Sequence, residues 1–417
     1  MAVANTPDTM VGDFKNLYEK SGLVNAIPSF AILQQRFKFE EADAGLGQFY
    51  VFGVTLQKEQ GFTYAPSSGA NSGVQTMNAA VAGYIGQAQV EGFAIYLRSR
   101  LSYDAAAKAS KAGKKAFAQA YGAVLKNMKE SHQYRLELSL LYGRDGLGVV
   151  SVNGGGGVLT ISTATWATGI WASGMKGAIL NAWSTSAYPA TQHDGDLTIS
   201  TINVLSKQIT VTGTSSSVIP NDVLYFKGAR SVADSSYNEC IGLYRILSTT
   251  SGTIFNISAT DYELWRAQQY AVNGNLSLTA IMHGAAQGTN FGLEKALLFV
   301  NPDAFAQLAS DEAALRRYVQ DTPNTKRGAK GISFIMGNVD VEILSHPLVK
   351  LGHALMVAED TIHRVGATDI TFAMPGQGEA MTVHVTDATA IELRAMSDQG
   401  LYSDTPAKNV LLTNITY

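Results

Sequence analysis

The stretch that decides the fold begins Gln48-Phe49-Tyr50-Val51-Phe52-Gly53-Val54-Thr55-Leu56-Gln57-Lys58-Glu59-Gln60 and extends, within Gly47 to Gly143, into Tyr103-Asp104-Ala105-Ala106-Ala107-Lys108. Aromatic and β-branched residues crowd positions 48–60, which predicts a strand. Val90, Phe93, Ile95 and Leu97, within residues 87–101, predict its partner. The connection between them is small and polar and includes Ser67-Ser68-Gly69-Ala70-Asn71-Ser72-Gly73. A lone two-stranded ribbon with a reach of about 40 Å is marginal in water. Its edges also invite pairing with another chain. Residues 103–142 are then rich in helix formers, and Phe117, Tyr121, Val124 and Met128 recur at helical spacing. A helix of that length spans about 60 Å, whereas a compact globule of this chain is about 55 Å across. Gly113 and Gly122 each weaken it by about 1 kcal/mol, and Gly143 is a reasonable stop. Ribbon and rod together predict projecting elements that complete their packing on copies of the same chain.

The rest of the composition is consistent with that expectation. Hydrophobic residues make up 46% of the 417 positions, enough for two or three domains with real cores. Charged residues are only 16%. Two causes of that deficit stand side by side: surface given over to interfaces, or a β-rich segment whose surface is Ser and Thr. The formal charge of −3 lacks the basic footprint of a sequence-specific nucleic-acid binder. A single cysteine, Cys240, excludes a disulfide framework and fits a reducing cytoplasm. Met1 to Gly12 has no basic start and no apolar run, so no signal peptide is expected. No apolar run approaches a membrane span.

Outside the central stretch, Asp13 to Lys20 and Ser29 to Lys38 read as two short arm pieces. Asn153 precedes four glycines, Gly154 to Gly157, which read as a flexible joint, and a short helix is expected near Trp166 to Met175. Strands are predicted at Asp196–Thr201, Lys207–Thr212, Val218–Phe226, Leu243–Ser248 and Thr253–Ser258, a spacing that suits a small antiparallel barrel or sandwich. Ala296–Val300 reads as a buried strand before a helix at Ala304–Leu308 that reaches Glu312–Val319. Val339–Leu344, Leu355–Ala358, Met381–Val385, Ala390–Ala395 and Asn409–Ile415 read as further strands.

This order of parts resembles tailed-bacteriophage major capsid proteins of the HK97 fold. The residues that carry the resemblance are Tyr50-Val51-Phe52-Gly53-Val54-Thr55-Leu56 with Glu59-Gln60-Gly61-Phe62-Thr63-Tyr64, and Tyr96-Leu97-Arg98-Ser99-Arg100-Leu101-Ser102-Tyr103-Asp104-Ala105. Asn221-Asp222-Val223-Leu224-Tyr225-Phe226-Lys227-Gly228-Ala229-Arg230, Leu298-Phe299-Val300-Asn301-Pro302-Asp303-Ala304-Phe305, Ile391-Glu392-Leu393-Arg394-Ala395 and Val410-Leu411-Leu412-Thr413-Asn414-Ile415-Thr416 extend it along the chain. The resemblance implies an α+β fold with an N-terminal arm at 1–40 and an E-loop at 41–101. A peripheral (P) domain with a long spine helix is implied at 102–160 and 376–417, and an axial (A) domain at 161–184 and 273–375. Residues 185–272 resemble an inserted β-barrel-like domain. The implied function is a non-enzymatic major capsid protein that self-assembles, through hexamers and pentamers, into an icosahedral shell around phage double-stranded DNA. Scaffolding, portal and decoration proteins and non-specific contact with packaged DNA are the further partners it implies. It also implies assembly in the host cytoplasm, a place in the virion and no membrane. The alternatives are a carbohydrate-binding or adhesin virion protein and an encapsulin-like compartment.

No catalytic, cofactor or metal residues are assigned. The seven histidines, His132, His193, His283, His346, His353, His363 and His384, form no metal-spaced pair. His193-Asp194-Gly195-Asp196 reads as a turn and not a cation loop, which needs a later bidentate glutamate. Glu40, Glu41 and Asp43 read as the flank of an exposed hinge. The lysines of 108–129 read as the solvated face of a helix. Lys58 matches the cross-linking lysine of some family members in place only, since no acceptor can be matched, and reads as a solvated residue. Trp166, Trp171, Trp183 and Trp265 are platforms for a sugar in principle and core residues by preference.

Overall fold

The computed structural model describes residues 30–41, 49–66, 75–103, 114–213, 215–310, 332–336, 339–373, 382–384 and 389–416. Three bodies of secondary structure meet around one long helix. The first is a five-stranded sheet whose central strand, Ala390–Ser403, pairs with Phe93–Ser102 along one edge and with Ile362–Thr371 and Thr382–His384 along the other. The arm strand Phe39–Glu41 adds in parallel beyond Ile362–Thr371. The helix Lys114–Tyr142 lies on this sheet, with Val124 and Met128 packed on Leu393 and Ala395.

The second body is a closed barrel of six strands in the order Val223–Phe226, Gly148–Asn153, Val158–Ile161, Gln208–Thr212, Gln192–Asn203 and Ile179–Trp183. Period-two alternation sends Val150, Leu159, Ile161, Leu180, Leu197, Ile199, Ile209 and Val211 inward, and all are buried. Full closure removes the free edges that an open sheet of this size would expose. The third body is a six-stranded sheet, Gln268–Gly274, Val410–Ile415, Ala354–Ala358, Lys295–Val300, Val339–Ser345 and Ile332–Met336, flanked by helices Leu278–Thr289 and Pro302–Ser310.

Several expectations need correction. The return strand divides at Gly92. Tyr84–Glu91 pairs with Phe49–Gln57 in the ribbon, whereas Phe93–Ser102, carrying Phe93, Ile95 and Leu97, belongs to the five-stranded sheet. The barrel opens at Gly148 and closes at Phe226, so it starts well before the expected 185–272 segment, and residues 154–157 form its first tight turn instead of a joint. Gly155, Gly156 and Gly157 hold φ of 74°, 59° and 83° there, which a side chain would strain. Leu243–Ser248 is helical, because Leu243, Ile246 and Leu247 recur at three and four residues and bury one helical face. Thr253–Ser258 is a minimal hairpin, turned by Phe255 and Asn256 at φ 50° and 65°. Val410–Ile415 lies inside the six-stranded sheet, between Gln268–Gly274 and Ala354–Ala358, and not beside Ala390–Ser403. The expected helix at Glu312–Val319, the arm piece Asp13–Lys20 and the helical positions 104–113 lie outside the described residues.

The long helix is the hub. Its described 29 residues span about 43 Å. Leu136, Leu138, Leu140, Leu141 and Tyr142 are buried on several sides at once, so this end runs through the core and does not project. That corrects the expectation that the rod cannot bury itself in its own chain. Gly143 ends it for a reason other than left-handed backbone. A Cβ there would stand 2.3 Å from the Cys240 carbonyl oxygen, so the crossing of residues 240–242 over the helix end admits only glycine.

Candidate assembly surface

The ribbon has two chemically different halves. In its base the even-numbered positions face the body. Tyr50 and Phe52 lie with ring centroids 5.5 and 4.8 Å from Tyr402, and Phe52 is 6.5 Å from Trp265. Leu56, Ala88 and Val90 are buried. Gln89 N–H donates to the Phe255 carbonyl at 3.0 Å, and Tyr84 stacks on Tyr262 at 5.0 Å. The base is therefore fixed to its own subunit, a second correction to a freely projecting ribbon.

The outer half is different. Beyond the Gln57–Tyr84 pair, residues 58–66 and 75–83 are held to each other by a few local bonds. Gln60 N–H donates to the Val81 carbonyl at 2.9 Å. Asn78 N–H donates to Thr63 Oγ1 and its side-chain amide to the Phe62 carbonyl, both at 2.8 Å. On this frame Phe62 is 67% exposed, Tyr64 92% and Met77 82%. Large side chains clustered at one tip, with no core of their own, mark a surface meant for contact. Lys58 is exposed on the same segment and makes no ion pair among the described residues.

The arm is anchored by buried charge that the sequence reading missed. The carboxylate of Glu137, fully buried, accepts from Leu33 N–H at 2.5 Å and from Gln34 Nε2 at 3.0 Å. His346 Nδ1 accepts from Leu348 N–H, so its Nε2–H donates to Glu137 at 3.1 Å. At the other end of the short helix Ile32–Arg36, Arg364 donates to the carbonyls of Gln34 and Phe37, both at 3.1 Å. An acid at the helix start and a base at its end also complement the peptide dipoles. The signal was present: Glu137 interrupts the apolar run Leu136-Glu137-Leu138-Ser139-Leu140-Leu141-Tyr142.

His363 forms a second arm contact. Its Nδ1 is 3.6 Å from Glu40 Oε1 and its Nε2 3.7 Å from Asp404 Oδ2, and its ring stacks on Tyr402 at 5.1 Å. The Asp404 and Glu40 carboxylates raise its pKa above 6.5, Asp404 most, against the opposing effect of burial. With the arm strand released, the ring loses Glu40 and moves back toward its ordinary value. The contact therefore contributes fully below the pKa of the ring with the arm released, which Asp404 still holds up, and is lost as pH rises through the higher value of the docked state. Amide exchange in Phe39–Glu41, corrected for intrinsic rates, is expected to be faster at pH 8.5 than at pH 5.5, and His363→Gln to remove the difference. Equal exchange at both pH values in the parent protein would refute the coupling.

The other singled-out residues are dispersed. His132 bonds Ser397 at 2.8 Å, His193 bonds Asp222 at 2.8 Å, His353 bonds Tyr142 at 2.8 Å, and His283 stacks on Tyr270. His193 to Asp196 lies within a bulged barrel strand, where Asp196 pairs with Lys227. Glu40 and Glu41 belong to the arm strand and not to a hinge, and Asp43 and the side chain of His384 lie outside the described residues. Of the lysines, Lys126 and Lys129 face solvent. Trp166, Trp171, Trp183 and Trp265 are all at most 2% exposed, so none offers a platform to a sugar. Among the described residues no helix is long and apolar enough to cross a membrane.

No family model matches this chain, and no curated protein matches it. Among solved structures it is similar to the capsid asymmetric unit of cyanophage A-1(L), with a TM-score of 0.53 and 11% identity over 97% of this chain and 98% of that one. It is also similar to the capsid of a native GTA particle, with a TM-score of 0.50 and 8% identity over 99% of this chain and 100% of that one. At such identities the likeness is one of fold, and it runs essentially end to end. The chain has a mixed α/β capsid fold.

Proposed function

We propose that this chain is the major capsid protein of a tailed bacteriophage, a structural protein that assembles in many copies into an icosahedral shell enclosing double-stranded DNA. The observation that carries the reading is the end-to-end capsid fold, together with the exposed Phe62, Tyr64 and Met77 on the outer half of the ribbon. In HK97 terms, residues 30–41 are the arm and 49–91 the E-loop. The five-stranded sheet with Lys114–Tyr142 is the peripheral domain, and the six-stranded sheet with its two helices the axial domain. The barrel of 148–226 is the inserted domain. Hexamers and pentamers, scaffolding, portal and decoration proteins, assembly in the host cytoplasm and non-specific contact with packaged DNA belong to the same reading.

The mechanism is coupled binding and packing. The ribbon base is fixed on its own subunit, which lowers the entropy cost of presenting the outer half to a neighbour. Each tip buries its apolar side chains only when a neighbour arrives, so contact energy accrues copy by copy and closure is cooperative through mass action. The purified chain, expressed alone or with a scaffolding protein, is expected to give capsomers or closed particles by size exclusion and negative-stain microscopy. A monodisperse monomer under both conditions would overturn the reading.

A further inference from the structure

The sheet face turned away from the long helix carries an incomplete ladder of charges. The antiparallel register places Arg100 opposite Glu392, Arg98 opposite Arg394 and Tyr96 opposite Met396. Residues directly opposite point to the same side of a sheet. The alternate positions, Leu97, Leu393 and Ala395, pack under Val124 and Met128 of the helix, so the arginines lie on the outer side. There Glu392 accepts from Arg100 Nε at 3.0 Å and from Arg394 Nε at 2.7 Å. The two arginines, Arg394 foremost, hold its carboxyl below the usual range. The next rung breaks the pattern. Arg98 is exposed, makes no ion pair among the described residues, and stands directly opposite the half-exposed Arg394. Like charges directly opposite are destabilising in a sheet. Tyr96, 74% exposed, lies beside them.

We propose that this face is an interaction surface that takes a carboxylate side chain from a second copy of this chain, bridging Arg98 and Arg394 beside Tyr96. The inference rests on the reading of the chain as a self-assembling subunit and deepens it. Side chains opposite each other stand about 5 Å apart at Cβ, within reach of one carboxylate between two guanidinium groups. Glu392 shows how a carboxylate is held on this face, between two arginine Nε atoms. A copy of the same chain can supply the missing one, because its acids outnumber its bases by 34 to 31. Planar, forked arginines suit a carboxylate, and a flanking tyrosine suits a protein surface.

The test is Arg98→Glu in the full chain, with Arg98→Ser as a milder variant, followed by light scattering, microscopy and thermal melting. Both variants are expected to melt at or slightly above the parent, since each removes the charge opposed to Arg394. Particle yield should fall at least about tenfold in Arg98→Glu and by less in Arg98→Ser, and the parent's assembly rate should fall with added salt. Parent and Arg98→Glu assembling equally well would overturn this inference and leave the capsid reading intact. A parent that never assembles would sink the capsid reading, and this inference with it. If Arg98→Glu assembled normally but lost the parent's retention of duplex DNA, the partner would be phosphate, and the proposal would also be overturned. Should Arg98→Glu fail to fold, Arg98→Ser decides: normal yield from a folded Arg98→Ser protein overturns the proposal.

Discussion

Replacing residues 61–82 with a short Gly-Ser turn is expected to abolish closed particles while leaving the subunit folded. The segment holds Phe62, Tyr64 and Met77, all more than 60% exposed, and bonds of Asn78 to Thr63 and to the Phe62 carbonyl join its two sides. Removing it takes nothing from the core. Leu56, Ala88 and Val90 stay buried, and Tyr84 stays stacked on Tyr262. Shortening a surface loop changes its closure entropy by only about 0.6 kcal/mol per halving of length, in the favourable direction. Assembly should respond very differently. Burying one large apolar side chain is worth about 1.5–3 kcal/mol, and Phe62, Tyr64, Met77 and the half-exposed Val81 are such groups among the described residues of this segment. A loss of several kcal/mol per contact, repeated around a closed shell, leaves subunits or isolated capsomers. Sedimentation and negative-stain microscopy read the outcome. Shells of normal yield and stability from the shortened chain would show that the tip is not an assembly element.

Glu137→Ala is expected to be the most damaging single change within the subunit. Its carboxylate is fully buried and meets donors from three places: the Leu33 and Gln34 amides, the Gln34 side chain, and the His346 ring. Alanine leaves those donors without an acceptor in the interior and opens a cavity. Stranding the partners of a buried charged group costs about 3–5 kcal/mol. For a chain of 417 residues that corresponds to a fall in Tm of about 3–6 °C. Glu137→Gln keeps one oxygen and should cost less. Amide exchange should rise first in Ile32–Arg36, since the arm helix loses the group that satisfies its first amides. An alanine variant with an unchanged melt and unchanged arm exchange would show that the network does not anchor the arm.

The particular misreadings share a physical cause. Leu243–Ser248 was legible as a helix, because its buried positions fall at three and four residues, yet its strand-like neighbours outweighed that period. The barrel boundary was not legible. Gly148–Asn153 and Val158–Ile161 are short alternating runs, and only pairing with Gln208–Thr212 and Val223–Phe226, some 50–75 residues away, makes them barrel strands. The same holds for Val410–Ile415, whose alternation is silent about which of two sheets it joins. Arm anchoring left a trace in Glu137, an acid within an apolar run, but its partner His346 lies 209 positions away.

By itself the sequence determined the first ribbon strand, the long helix, the buried strand Ala296–Val300 and the order of parts that resembles a capsid subunit. Those properties are local: composition and periodicity write them directly into neighbouring residues. Only the tertiary structure decided that the ribbon base and the helix end are seated in their own subunit, that the barrel spans Gly148 to Phe226, and that Arg98 stands opposite Arg394 with no ion pair to Arg98 among the described residues. Each of these depends on register between segments far apart in the chain. Such pairings are fixed by the packing of the whole fold, and no local stretch encodes them.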